Sequence, residues 1–401
     1  MIYACTKEGK EELRCNQLFI DNNNLSEEDT VLIDLLNIFL EIYSKDIYTV
    51  RSRNKARNMM VRAYVDNNNL PIWENNKCDI IKLANFVTEG DGDTWDISFV
   101  PCEYYFSESF LYKANSRVDN VSLLSGGLDS FCGAYYNEVN KRNTLYCGYK
   151  TSNVDTSAIN RVSEILRHRE GNMGVVTYSK IEGKKLTPTQ RTRSLLFFSL
   201  AVKTAVKENV TSINVNENGI MTLNPSFQSR GTTKTTHPKT IFLFQTILNN
   251  ANIQVKINHP FLFMTKGVMV NMLSDEYKGY IKESRSCSRS LQDPRYDTSN
   301  KISCGTCVPC LLRKISMAAY DMEPYDNDYS VPYKGDFDDE EYRSAYIYYR
   351  TFYSAIKNNQ IFSELRMRKK YYEIDDYYQR TLDMLQCFAR ELEVFNKKYG
   401  G

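Results

Sequence analysis

The sequence lacks both a long apolar run and an excess of charge of either sign. Its 401 residues include 51 Lys and Arg against 49 Asp and Glu, a formal net charge of +2. Proteins that wrap nucleic acid by neutralising phosphates carry a clear basic excess, so nucleic acid is not an expected partner. No stretch reaches the about 20 apolar residues that span a bilayer, and residues 1–15 contain acids where a signal peptide needs an apolar segment. We therefore expect a cytoplasmic protein without a membrane partner.

Histidine is scarce, and the cysteines do not fit a disulfide framework. One of the three histidines, His237, has no sequence neighbours that suggest a catalytic triad. The eleven cysteines are odd in number, and in a reducing compartment they are expected to be free thiols or metal ligands. Hydrophobic content of 42% and charged content of 25% are near globular averages. Composition therefore excludes wholesale disorder and fibrous architectures.

Three regions of the chain differ in pattern. Residues 1–116 combine an apolar helical stretch from Val31 with strand-like runs from Met59 and Asp96, which predicts an α+β module. Residues 117–325 alternate short apolar strands with longer helical segments, which predicts an α/β domain with a doubly wound parallel sheet. Residues 326–401 are rich in tyrosine and charge at three- and four-residue spacing, which predicts a C-terminal helical appendage. Its interleaved acids favour packing against the domain or a partner protein over nucleic-acid stacking.

The hexapeptide SGGLDS, residues 125–130, lies between an apolar strand and a helical segment. Gly126 and Gly127 allow close approach of the backbone, so several N–H groups can converge on an anion where the helix begins. Ser125 and Ser130 can add hydroxyl donors. The motifs GxxxxGK[ST] and GxGxxG are both absent, which disfavours a Walker-type nucleotidase and a dinucleotide fold. An ordinary tight turn would also explain two glycines.

Four cysteines, Cys287, Cys304, Cys307 and Cys310, are spaced C-x16-C-x2-C-x2-C. Four thiolates suit a tetrahedral structural zinc, and every ligand can come from this local segment. Iron–sulfur clusters also take four cysteines, and a redox CxxC has the same short spacing, so both alternatives remain.

SGGLDS resembles the signature of the PP-loop ATP pyrophosphatases. Together with CGTCVPC and the following Arg313, it resembles one branch of them, the 7-cyano-7-deazaguanine synthases; the likeness covers Val121 to Ala319 and includes RSLLFFSLA from Arg193 and the segment from Pro260 to Lys266. The resemblance implies binding of ATP and Mg²⁺, with Asp129, Arg193 and Lys266 as catalytic residues. The implied nucleotide-binding residues are Ser125, Gly126, Gly127, Leu128, Asp129, Ser130 and Tyr149.

The resemblance also implies a substrate, 7-carboxy-7-deazaguanine or a similar small molecule, whose carboxylate is adenylated. Asn216 and Glu217 are candidates for its recognition, and Thr235, Thr236 and His237 could close over the nucleotide. The two added modules and an unusual substrate segment resemble the synthase-like proteins of bacterial antiphage operons, including the Qat type. That likeness implies transfer to an amine of a partner protein. The alternatives are nitrile synthesis from ammonia in queuosine biosynthesis, a non-catalytic ATP-binding scaffold, and a tRNA thiolase or lysidine-type enzyme, which the balanced charge disfavours.

Overall fold

The structure is a computed structural model. It describes residues 1–18, 30–52, 55–107, 115, 117–183, 185–186, 191–227, 233–288, 302–365 and 367–400. Among these residues, no helix combines the length and the apolar character needed to cross a membrane.

The amino-terminal part contains a four-stranded sheet covered by two long helices. Its elements are β1 (Ile2–Thr6), β2 (Gly9–Glu12), α1 (Thr30–Tyr48), β3 (Asn58–Asp66), α2 (Leu70–Thr88) and β4 (Thr94–Phe106). The strand order is β2-β1-β4-β3, and only β3 and β4, which α2 connects, are parallel. Strand β3 alternates buried and exposed residues because one face of the sheet packs on helices. The helix expected from Val31 and the strands expected from Met59 and Asp96 are confirmed.

The central part contains a five-stranded sheet that is parallel throughout, in the order β7-β6-β5-β8-β9. Its elements are β5 (Asn120–Leu123), α3 (Leu128–Val139), β6 (Thr144–Tyr149), α4 (Asn153–Leu166), β7 (Asn172–Tyr178), α5 (Arg193–Lys207), β8 (Ser212–Asn214), α6 (Gly219–Leu223), α7 (Pro238–Asn250), β9 (Lys256–Asn258), α8 (Lys266–Asn271), α9 (Asp275–Lys278) and α10 (Val308–Ala319). The chain moves outward from β5 to β7 and then returns to β8 on the other side of β5. This is the predicted doubly wound sheet, and its direction reverses between β5 and β8, where such sheets bind ligands beyond the strand ends.

The carboxyl-terminal part consists of helices that cover one side of the central part. They are α11 (Glu340–Lys357), α12 (Ile361–Glu364) and α13 (Tyr377–Tyr399). Aromatic residues of α11 and α13 interdigitate, as in the contact of Phe352 with Phe388 at a centroid distance of 5.3 Å. Both helices share an apolar cluster with α10 and α6. The tyrosine-rich spacing therefore belongs to a packed helical layer.

The amino-terminal and central parts share one hydrophobic core. Phe39 of α1 stacks on Phe244 of α7 at 5.0 Å, and Tyr43 of α1 meets Tyr149 of β6 edge to face at 6.2 Å. The boundaries expected at residues 116 and 325 stay predictions, but the two parts that meet at the first of them are joined by continuous apolar packing.

Candidate active site

The loop of residues 125–130 connects β5 to α3 and is closely packed from behind. Gly126 has a φ of +75°, and a Cβ there would lie 2.6 Å from the backbone of Ala158 and Ile159 in α4. The backbone N–H of Arg285 donates to the Gly126 carbonyl at 2.9 Å. Only glycine satisfies both the left-handed conformation and this close approach.

The hydroxyl groups of the two serines of the loop are in contact. Ser125 Oγ lies 3.3 Å from Ser130 Oγ, and Ser130 Oγ donates to the Gly127 carbonyl at 2.9 Å. Gly127 precedes the first residue of α3, Leu128, whose side chain is buried. The N–H groups of the first turn of α3, which have no acceptor within the helix, therefore lie near two hydroxyl groups, an arrangement suited to binding an anion.

Asp129, in the first turn of α3, forms a buried ion pair. Its Oδ1 lies 2.6 Å from Lys266 Nζ, and the Lys266 side chain is only 5% exposed. Its Oδ2 accepts from Asn218 Nδ2 at 2.8 Å. Burial alone would raise the pKa of Asp129, but the charge of Lys266 and hydrogen bonds from Glu217, Lys266 and Asn218 outweigh it and lower this pKa. Asp129 is therefore an anion clamped between three polar side chains.

Glu217 lies beside Asp129, and the pKa of its carboxyl group is shifted in the opposite direction. Burial, followed by the negative charge of Asp129, raises the pKa of Glu217 well above its ordinary value. Asn218 Nδ2 bridges the two carboxyl groups, at 2.8 Å from Asp129 Oδ2 and 3.3 Å from Glu217 Oε1. Two carboxyl groups this close disfavour a second negative charge, which is why the pKa of Glu217 is raised. Behind them His259 Nε2 lies 2.8 Å from the Glu217 carbonyl, and burial lowers the pKa of His259 to about 4. Two adjacent carboxyl groups beside the start of α3 could bind a divalent cation if both are ionised.

A second cationic region lies beyond the end of β6. Arg193, the first residue of α5, places Nη1 3.3 Å from Thr151 Oγ1 and 3.9 Å from Asp155 Oδ2, with its side chain 46% exposed. Lys185 Nζ donates to the Thr151 carbonyl at 3.1 Å, and burial together with the charge of Arg193 lowers the pKa of Lys185. Because β5 and β6 are parallel neighbours, this region and the 125–130 loop lie at the same edge of the sheet.

Four other predicted residues are buried and have partners within the protein. Tyr149 is buried and packs against Tyr43 and Phe197. Asn216 Nδ2 donates to Ser122 Oγ at 2.9 Å, and the Asn216 side chain fills the space where a Cβ of Gly133 would be. Thr236 bonds to Thr222, and His237 caps α7 and contacts the Leu365 carbonyl. The roles of these four residues in binding stay predictions, as does the role of the half-buried Thr235. Residues 228–232, which precede Thr235, lie outside the described residues.

The four predicted cysteines come together. All four Sγ atoms lie within 4.8 Å of one another, with Cys287 to Cys304 at 3.5 Å and Cys304 to Cys310 at 3.8 Å. A tetrahedral zinc with Zn–S bonds of about 2.3 Å requires sulfur separations of about 3.8 Å. The N–H groups of Thr306 and Cys307 point at Cys304 Sγ, each at 3.4 Å, which supports a thiolate there. Hydrogen bonds, first from Cys287 and then from the other thiols, lower the pKa of Cys304. The group fits a tetrahedral metal ion.

Arg313, three residues after Cys310, contacts the segment that leads to the 125–130 loop. Its Nε lies 2.6 Å from Asp326 Oδ1, and its Nη atoms donate to the carbonyls of Ser284 and Ile281 at 3.1 and 3.0 Å. The segment held in this way continues into Arg285, whose N–H bonds to Gly126. Arg313 therefore supports the 125–130 loop through the backbone of residues 281–285, which precede Cys287.

Sequence reasoning did not identify Asn218, Thr265 or Asp326. Asn218 and Thr265 each cap a short helix, α6 and α8, through their side chains. An Asn or Thr before a helical turn is a recognisable capping signal. The capping signal does not indicate that Asn218 itself, or Lys266 after Thr265, contacts Asp129.

Part of the chain matches a known protein family. Residues 190–321 match the model of the family described as queuosine biosynthesis protein QueC. No curated protein matches the chain. The matched segment is less than half of the chain; it contains Arg193, Glu217, Lys266 and the four cysteines, while the 125–130 loop lies before it. The chain is thus QueC-like over this segment, which suggests an ATP-dependent enzyme of the pyrophosphatase or ligase type.

Proposed function

We propose that this protein uses ATP to adenylate the carboxylate of 7-carboxy-7-deazaguanine and then transfers the acyl group to an amine of a partner protein in antiphage defence. The observation that carries the ATP pyrophosphatase part is the buried Lys266–Asp129 pair beside the 125–130 loop, at the edge where doubly wound sheets bind ligands. The QueC-like match supports the substrate class.

The loop would hold the departing pyrophosphate. N–H groups at the start of α3 and the hydroxyls of Ser125 and Ser130 present donors, while Lys266 and Arg193 supply positive charge. Asp129 and Glu217 would hold Mg²⁺, which supplies further neutralisation of phosphate charge. Glu217 would release its proton to solvent as that cation binds, because a neutral carboxylic acid is a poor ligand.

The chemistry has two displacements. In the first, a carboxylate oxygen of the deazaguanine attacks the α-phosphorus of ATP, the α–β P–O bond breaks, and pyrophosphate leaves with the electron pair. In the second, an amine attacks the acyl carbon, a C–N bond forms, AMP leaves, and the amine loses a proton. The protein's main contribution is alignment of the reactants and stabilisation of charge on the leaving pyrophosphate.

The choice of a protein acceptor rests on the two added parts of the chain. Capture of ammonia needs no additional surface, whereas a protein amine must be delivered to the site. The exposed residues of α11 and α13 include Ile347 and Tyr378, which offer apolar contact area outside the catalytic part. The defence role rests on resemblance to the Qat type.

The test is mass spectrometry after incubation of the protein with ATP, Mg²⁺, 7-carboxy-7-deazaguanine and candidate partner proteins, with ammonium in a parallel reaction. We expect a covalent adduct on the partner, absent with Asp129→Ala. The matched control is Asp275→Ala, which removes an aspartate that is 93% exposed. Efficient nitrile formation with no labelled partner would instead assign the chain to synthesis of the cyano compound. Absence of any AMP would support a scaffold.

A further inference from the structure

One face of the C-terminal helix α13 reaches the two backbone turns that hold the partners of Asp129. These turns are the start of α6, just after Asn218, and the start of α8, which begins at Lys266. Met384 contacts the first turn and Glu391 the second. Glu391 is seven positions after Met384. The two residues therefore lie two turns apart, about 10 Å along one face of the helix.

Glu391 locks the turn that carries Lys266. The hydroxyl of Thr265 donates to Glu391 Oε1, and the same Thr265 Oγ1 accepts from the Val268 N–H at 3.1 Å as the cap of α8. The Glu391 carboxyl group lies against Gly267, in the space where a Cβ would be. Burial raises the pKa of Glu391 to about 8, so it is a neutral acid at neutral pH. A buried polar group costs stability unless it is hydrogen-bonded; the Thr265 hydroxyl meets this need at Oε1, while Oε2 is buried without a hydrogen-bond partner among the described residues.

Met384 reinforces the neighbouring turn. Its Sδ lies where a Cβ of Gly219 would be, and the Gly219 N–H donates to the Met264 carbonyl at 2.8 Å. The two turns are therefore hydrogen-bonded to each other, and α13 packs on both. A shift of α13 would move Asn218 and Lys266 together, relative to the Asp129 carboxylate between them.

We infer that Glu391 of the C-terminal helical part is a positioning residue, which holds Lys266 on Asp129 through the Thr265 cap. This inference rests on the proposed function for its catalytic consequence, but the geometry it describes can be tested separately. Under this inference, the inner face of α13 supports the candidate active site. The outer face of α13 remains available for a partner.

The experiment uses the full chain and two matched pairs of variants. Glu391→Ala removes the acceptor for Thr265, while Glu391→Gln keeps an acceptor oxygen and resembles the neutral acid. Thr265→Val removes the hydroxyl, while Thr265→Ser keeps it. Glu393→Gln changes an exposed acid of the same helix, which pairs with Lys357 at 2.8 Å. Acetylation of lysines followed by mass spectrometry measures the accessibility of Lys266, and exchange of labelled pyrophosphate into ATP measures activity.

We expect Lys266 to be acetylated several times faster in Glu391→Ala and Thr265→Val than in the unaltered protein. The rate of pyrophosphate exchange should fall about tenfold to a hundredfold in both, as expected for a misplaced catalytic group. Glu391→Gln, Thr265→Ser and Glu393→Gln should retain protected Lys266 and near-normal exchange.

Unchanged Lys266 acetylation in both Glu391→Ala and Thr265→Val would overturn the inference. So would equal loss in Glu391→Gln and Glu391→Ala, because a hydrogen-bond acceptor would then not be what matters. If the unaltered protein shows no exchange, the proposed function fails, and the acetylation rates still decide the positioning role. Thr265→Val, which preserves side-chain shape, keeps the test decisive if Glu391→Ala does not fold.

Discussion

At the scale of single residues, the site depends on three neighbouring ionisable side chains. Lys266 and Asp129 form a buried ion pair, and the pKa of Glu217 beside them is raised by burial and by the charge of Asp129. Burial makes each charge unfavourable. The attraction between Lys266 and Asp129, whose charged atoms lie 2.6 Å apart, offsets this cost. In the proposed function, a bound phosphate and cation would redistribute these contacts.

Lys266→Met should abolish most of the activity because it removes the positive charge that the proposed mechanism places beside the departing pyrophosphate. Loss of one such electrostatic contact costs about 10²–10³ in kcat. The measurement is ATP–pyrophosphate exchange, with Lys82→Met as control, since the Lys82 side chain is 63% exposed. Retention of full activity by Lys266→Met would remove this lysine from the mechanism.

Glu217 should make stability fall as the pH rises. Its pKa in the folded protein is raised, so above the ordinary pKa of about 4.3 the unfolded chain releases a proton that the folded protein retains. The contribution is complete below that pH and is lost toward the folded-state pKa. Melting temperatures measured from pH 5 to pH 8 without divalent cations should therefore favour Glu217→Gln increasingly over the unaltered protein. If the difference in melting temperature between Glu217→Gln and the unaltered protein did not change with pH, the raised pKa of Glu217 would be contradicted.

At the scale of secondary-structure elements, the site is an arrangement of helix starts around one loop. Helices α3, α5, α6 and α8 all begin at the carboxyl edge of the sheet or beside it, and α4 packs behind the loop through Gly126. At α6 and α8, the side-chain caps Asn218 and Thr265 fix the turns from which Asn218 and Lys266 contact Asp129.

Sequence patterns predicted those parts of the site that are contiguous along the chain. SGGLDS and the cysteine triplet are local motifs, and the alternation of strands and helices gave the sheet. Lys266 and Arg193 came from family resemblance, since nothing in their neighbours indicates contact with phosphate. The contacts of Asn218 with Asp129 and of Glu391 with Thr265 join segments 89 and 126 residues apart. No periodicity or capping rule encodes such pairs, so only the folded chain reveals them.

Gly126→Ala should disrupt the loop more than an ordinary surface substitution. Its φ of +75° and the backbone of Ala158 and Ile159 at 2.6 Å leave no room for a methyl group. We expect a loss of more than about 1 kcal/mol in the free energy of unfolding, together with loss of ATP binding measured by calorimetry. The control is Gly279→Ala, since Gly279 has a φ of −60°. Normal ATP binding by Gly126→Ala would show that the loop does not need this conformation.

At the scale of the whole molecule, the amino-terminal part is tied to the site by a buried ionic network. Arg57 pairs with Asp46 at 2.5 Å and with Asp93 at 2.7 Å. Asp46 also accepts from the N–H and hydroxyl of Thr192, the residue before Arg193. The end of α1 therefore fixes the start of α5, just as α13 fixes the start of α8.

Arg57→Met should destabilise the protein strongly, because it leaves Asp46 and Asp93 buried with one cation fewer. Removal of one partner from a buried ion pair costs about 3–5 kcal/mol, and both aspartate side chains are 0% exposed. Urea unfolding measures the change, with Lys82→Met as the exposed control. A loss below about 1 kcal/mol, typical of surface pairs, would show that this network contributes little.

The most direct test of the central claim is exchange of labelled pyrophosphate into ATP, with and without 7-carboxy-7-deazaguanine, in the unaltered protein and in Asp129→Ala. Exchange reports reversible adenylation before any acceptor amine is involved, so it does not depend on the identity of the partner. The account predicts exchange that requires the deazaguanine acid and is lost in Asp129→Ala. Exchange that is absent under all conditions, or that persists unchanged in Asp129→Ala, would contradict it.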